Sequence, residues 1–186
     1  RGPGTVSTGR GDHGGVSYGT YQMSSAMGVV QKFILKSEFE SEFIGMTAAS
    51  DDFNRKWKTI AAREEDKFKS AQHKFIKETH YDVQLEVLRD NGVVMNHKRA
   101  AIHDLIWSTA VQFGPKTKLI IKALSGADLE SISDFSFVKK VQNYKIEKNN
   151  LLFASSPSLW GGLVARAEEE KRQLIELCSL DFEISE

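Results

Sequence analysis

The chain has 186 residues, 40% hydrophobic and 27% charged, which suits one domain or one domain with two lobes and is enough to bury a core. Its 25 lysines and arginines equal its 25 aspartates and glutamates, so no net field favours nucleic acid or an anionic membrane surface. The single cysteine, Cys178, excludes an internal disulfide, and no apolar run nears the roughly 20 residues that a membrane span needs.

Half of the 14 glycines fall before residue 20. The stretch from Arg1 to Gln22 is rich in Gly, Ser, Thr and Tyr without a helical period, which predicts loops and short β structure. Within it VSYGTYQ alternates as a short strand does. The start, RGPGTVSTGRGD, is polar and does not begin with Met. No signal peptide is read there, and the chain is expected to be a fragment or processed domain with sequence upstream.

From residue 23 the pattern is helical. Ser24 or Ser25 is expected to cap a helix to about Lys36, with Met27, Val30, Ile34 and Leu35 facing inward. Phe53, Trp57, Ile60, Ala61, Phe68, Ala71 and Phe75 recur at three-and-four spacing, which predicts one long amphipathic helix capped by Asp51 or Asp52. A further helix covers Tyr81 to Arg89 and ends at Asn91-Gly92. Lys98 to Phe113 follows, with Ile102, Leu105, Ile106 and Phe113 on one side. Gly114 and Pro115 stop it, and Pro115 starts a short helix through Leu124. Asp128 is expected to cap a helical turn, and Phe137 to Lys148 is helical. Pro157, Gly161 and Gly162 mark a loop. The last helix spans Leu163 to Cys178, with EEEKR on its wet side and Cys178 buried.

The densest chemical signal is GTVSTGRGDHGGVSYGTYQ. Asp12 has Gly11, Gly14 and Gly15 around it, which lets backbone and substrate come close. The hydroxyls of Ser7, Thr8, Ser17, Tyr18, Thr20 and Tyr21 are of the kind that recognise a glycan. Residue types alone leave two readings open: a glycine-rich hairpin whose Asp makes an Asx turn, which composition favours, and a glycan site. Neither GxGxxG nor GxxxxGK[ST] occurs, so no phosphate cradle is expected. Arg10-Gly11-Asp12 matches an adhesion tripeptide that arises often by chance. The five histidines lack HExxH spacing and no Cys/His cluster exists, so no metal is expected. A Ser-His-Asp hydrolase lacks its GxSxG elbow. The second informative stretch is HDLIWSTAVQFGP, where Ser108 and Gln112 share a helix face. A core helix with two satisfied polar residues explains that stretch as well.

On VSTGRGDHGGVSYGTYQ and WSTAVQFGP, about a fifth of the chain, the sequence resembles the lysozyme-like, chitosanase-related peptidoglycan hydrolase domains of phage proteins and type VI secretion effectors, including C-terminal extensions of evolved VgrG spike proteins. The resemblance implies a mainly α, α+β lysozyme-like fold, with two helical lobes flanking a cleft and a short glycine-rich β segment near the N-terminus. The whole chain, 1–186, is then one catalytic domain, with 1–22 as the active-site segment and 23–186 helical. It implies a muramidase that needs no cofactor and uses two carboxylates, with inversion. Asp12 matches the general base. Ser17 matches a hydroxyl that helps hold the attacking water. Tyr18, Tyr21 and Gln22 would line the cleft, and Ser108 and Gln112 are adjacent to the site. The family's general acid is a Glu shortly before the Asp. No acid occurs between Arg1 and Gly11, so it is expected upstream of Arg1.

The implied partners are a peptidoglycan strand, a periplasmic immunity protein that occludes the cleft, and a spike trimer joined through the upstream region. No nucleic acid or membrane insertion is expected. The implied route is type VI secretion into the periplasm of a target bacterium. Two alternatives stay open, a chitosanase and a non-catalytic glycan-binding spike-tip module.

Overall fold

The computed structural model describes residues 1–8, 15–93, 95 and 99–183. The chain forms two compact units, Arg1–Thr79 and His80–Glu186.

The first unit opens with a small antiparallel sheet: β1 (Val6–Ser7), β2 (Ser17–Tyr18) and β3 (Met23–Ser24), in that spatial order. The β segment therefore reaches Ser24, two residues beyond the expected limit. VSYGTYQ is not one strand, because Gly19 (φ 72°) and Gln22 (φ 52°) take left-handed conformations and fold the chain back. Helix α1 (Val29–Lys36) starts later than expected, after Gly28 at φ 70°. Ser24 instead accepts a hydrogen bond from the Met27 amide at 3.1 Å, in a local turn. Met27 and Leu35, expected inside, are 73% and 64% exposed, whereas Val30 and Ile34 are buried as expected and Phe33 is buried with them.

The long helix predicted over Asp52 to Phe75 is two helices, α2 (Asp51–Arg63) and α3 (Glu65–Ile76), broken at Glu64 (φ −137°). Ser50, not Asp51 or Asp52, caps α2 by accepting from the Phe53 amide. Packing explains the break. One continuous helix would hold Trp57 and Phe68 roughly 16 Å apart along its axis. Here their ring centroids lie 4.6 Å apart. Phe33 contacts Trp57, Phe68 and Phe75 at 5.5–5.8 Å, and Phe39 and Phe43 close the cluster. This aromatic core holds the sheet against α2 and α3.

A π turn, Lys77–Tyr81, leads into the second unit. There follow α4 (Asp82–Asp90), α5 (Ala100–Phe113), α6 (Leu119–Ala123), α7 (Asp134–Glu147), α8 (Asn149–Leu152) and α9 (Trp160–Glu183). The expected Lys98 start of α5 lies outside the described residues. Gly161 and Gly162 are helical, against expectation. The 3-10 turn Pro157–Leu159 leads directly into α9, and the Trp160 indole donates to the Phe153 carbonyl at 2.8 Å, fixing the helix start. Ile102, Leu105 and Ile106 of α5 meet Phe137, Val138 and Val141 of α7 and Leu174 and Cys178 of α9 in one core. Cys178 is buried, as expected.

Candidate functional site

The sheet places three hydroxyls in a row. Ser7 pairs with Ser17, and Ser17 pairs with Ser24. Directly opposite residues of antiparallel strands share a face, so all three side chains lie on one side of the sheet. Ser17 is the middle member and is 9% exposed. Asp12 falls in sequence between β1 and β2 and lies outside the described residues.

Beneath the sheet is a buried polar anchor. The Gln72 side chain, 0% exposed, donates to the Pro3 carbonyl at 3.0 Å and accepts from the Thr20 amide at 3.1 Å. The Trp57 indole donates to the same Pro3 carbonyl at 2.9 Å. Gly19 touches this anchor, and a Cβ there would overlap the Gln72 amide. Gly19→Ala combines that overlap with a left-handed backbone, and is expected to cost about 2–4 kcal/mol in urea unfolding. An unchanged midpoint would show that the anchor yields freely.

Tyr18 corrects one expectation. It is 0% exposed and packs on Phe53 and Trp57 at 5.2 and 5.1 Å. Its hydroxyl donates to Asn54 Oδ1 at 2.5 Å and accepts from the Ala49 amide at 2.9 Å. Burial raises its pKa more than the Ala49 bond lowers it. The side chain belongs to the core and has no surface left to line a cleft.

Tyr21 and Gln22 lie on the turn between β2 and β3, near the surface. The Tyr21 hydroxyl is 2.7 Å from His73 Nδ1, and burial raises its pKa. The Gln22 amide donates to the Gly19 carbonyl at 2.8 Å and accepts from Arg1. Ser17, Tyr21 and Gln22 are thus gathered on the sheet and its turn. Sequence reasoning does not find the residues that hold this segment: His73 meets Tyr21, Gln72 holds Thr20, and Asn54 holds Tyr18. Gln72 carried a signal, since it falls on the buried stripe of α3 with Phe68 and Phe75.

Ser108 and Gln112 sit on α5 in the second unit. The Ser108 hydroxyl reaches both the Leu105 carbonyl, at 3.1 Å, and the Glu170 carboxylate. Glu170 also faces Lys145 Nζ at 3.5 Å, with the two side chains 21% and 3% exposed. Gln112 lines a small cavity with Lys145, Asn149, Arg166 and Glu170. Burial lowers the Lys145 pKa, and the Glu170 charge partly restores it. The glutamate run was expected to be solvated throughout. Glu170 departs from that because it follows Ala167 and precedes Leu174 on the buried stripe of α9. Among the described residues, no group of three or more His, Cys, Asp and Glu is placed to hold a metal ion.

Two solved structures share this fold. A native chitosanase from Bacillus subtilis MY002 superposes with a TM-score of 0.64 over 92% of this chain and 79% of its own, at 18% identity. A GH46 chitosanase from Gynuella sunshinyii, in complex with chitotetraose, gives 0.64 over 94% and 81%, at 14% identity. The chain therefore has a mainly α, α+β lysozyme-like fold, the fold of these two chitosanases. The family model described as "Type VI secretion system spike protein VgrG3-like, C-terminal" matches residues 1–171. The chain belongs to that family. It is 52% identical over 177 residues, 95% of its length, to the type VI secretion system spike protein VgrG3 of Vibrio cholerae serotype O1, and spans 17% of that protein.

Proposed function

We propose that this chain is a glycoside hydrolase that cuts the glycan strands of peptidoglycan, as a muramidase carried into a target bacterium's periplasm on a type VI spike. The observation that carries this reading is the chitosanase fold over nearly the whole length of a spike-protein C-terminal domain. Asp12 acts as the ionised base that takes a proton from water, and Ser17 helps to hold that water. The general acid is a carboxyl ahead of Asp12 in the longer protein, and the bond is cut with inversion. Tyr21 and Gln22 contact the strand. A periplasmic immunity protein covers the site in the producing cell, and the spike trimer supplies the vehicle.

The test is digestion of purified peptidoglycan by the chain extended upstream into its spike, followed by borohydride reduction and mass analysis. A muramidase leaves reducing-end N-acetylmuramic acid, reduced to muramitol. Absence of soluble fragments, or reducing-end N-acetylglucosamine instead, overturns the assignment. The second reading is a chitosanase, favoured by the names of both fold relatives. Depolymerised chitosan with intact peptidoglycan would establish it.

A further inference from the structure

We propose that the aromatic pair Tyr81 and Trp107, rimmed by His103 and Asp104, is a stacking subsite for one N-acetylhexosamine ring. The proposal deepens the glycan-cleaving reading and rests on it.

Helix α5 buries Ala101, Ile102, Leu105, Ile106, Thr109 and Ala110. His103, Asp104 and Trp107 lie on its other side, with Trp107 four residues beyond His103. The core does not require a tryptophan there, and its ring is only half buried. Tyr81 closes the π turn Lys77–Tyr81, a widened geometry that is uncommon and often marks functional sites. That turn sets the Tyr81 ring 5.2 Å from Trp107, at 33° between planes. It also brings the Tyr81 hydroxyl to 2.5 Å from His103 Nδ1. Both rings are thereby fixed before any ligand arrives, which lowers the entropy cost of binding.

A pyranose ring presents C–H groups on its faces and hydroxyls at its edge. The faces suit aromatic rings, and the edge needs a few placed polar groups. Asp104, exposed beside the rings, supplies acceptors for hydroxyls and for the acetamide N–H. Desolvation raises its carboxyl pKa against the opposing pull of His103. The other tryptophans are used structurally: Trp57 donates to Pro3 and Trp160 to Phe153.

The test is nitrogen–proton NMR of the chain titrated with the tetramer of N-acetylglucosamine. The Trp107 indole signal is assigned by its absence from the spectrum of Trp107→Phe, and the two that remain belong to Trp57 and Trp160. The Trp107 signal is expected to move saturably, while those of Trp57 and Trp160 stay. Trp107→Ala should weaken tetramer binding about tenfold, and Trp107→Phe less than about threefold. On peptidoglycan, in the upstream-extended form, Trp107→Ala should raise KM with kcat within about twofold. A Trp107 signal unmoved at saturating tetramer, or an alanine variant that binds as wild type does, overturns the proposal. The titration of the unaltered chain decides the matter even if the alanine variant fails to fold. Tetramer binding through Trp107 without glycan release by the upstream-extended form would remove the hydrolase reading and keep the subsite.

Discussion

Asp12→Asn is expected to lower glycan release by about 100- to 10,000-fold while the protein stays folded. The substitution keeps the shape of the side chain and removes its capacity to accept a proton. In the proposed chemistry one carboxyl gives a proton to the glycosidic oxygen, and the other must be ionised to take one from water. An amide cannot do the second task. The fold should tolerate the change, because the described residues of the first unit hold one another. Ser7 pairs with Ser17 and Ser17 with Ser24, Gln72 and Trp57 hold Pro3, and the rings from Phe33 to Phe75 fill the core. The measurement is muropeptide release by wild type and variant in the same upstream-extended form, with thermal unfolding as the control. A folded variant that solubilises cell wall as fast as wild type would sink the assignment of Asp12.

The long helices of the second unit, α4, α5, α7 and α9, are legible because each buries one stripe, and apolar residues at three-and-four spacing report it directly; the short α8 is not, and α6 begins at Leu119 rather than Pro115. Ile102, Leu105 and Ile106 are the clearest case, all 0% exposed. The first unit was harder for two physical reasons. Its strands are two residues long, too short for an alternation to register. Its core is aromatic, and Phe33 reaches it from the short α1, while Phe39 and Phe43 reach it from the start and end of the 3-10 turn Glu40–Phe43, and both elements carry little periodicity. The break at Glu64 has neither glycine nor proline to announce it, and only the need to bring Trp57 onto Phe68 explains it. Of the candidate site, the resemblance supplied Asp12 and Ser17, and residue type supplied the hydroxyls. Residue type could not say that Tyr18 turns its hydroxyl inward to Asn54 and Ala49 while Tyr21 meets His73 nearer the surface.

The charged residues on buried stripes lead to the second large effect. Glu170→Gln is expected to destabilise the protein by about 3 kcal/mol at neutral pH, since removing one partner strands a buried charge. Lys145 is that charge: its side chain is 3% exposed, and the nearby Arg166 disfavours its protonated form further. The glutamine keeps the size of the side chain and can still meet Ser108, so the loss reports charge more than shape. The pH dependence follows with a definite sign. Burial already holds the Lys145 pKa below the ordinary lysine value of 10.5, and the Glu170 charge pulls it back up. Without that charge it falls further. Between the folded value and 10.5 the unfolded chain binds more protons than the folded one, so stability rises with pH across that window. The deficit of the variant is therefore largest where Lys145 is charged, and it shrinks as pH climbs through the two folded-state values. Urea unfolding of both proteins at neutral pH and near the lysine value measures it. A deficit that does not change with pH would assign the role of Glu170 to its Ser108 bond alone. Adding Lys145→Met to the variant should recover most of the loss, because an apolar side chain of similar length needs no counter-charge in that position.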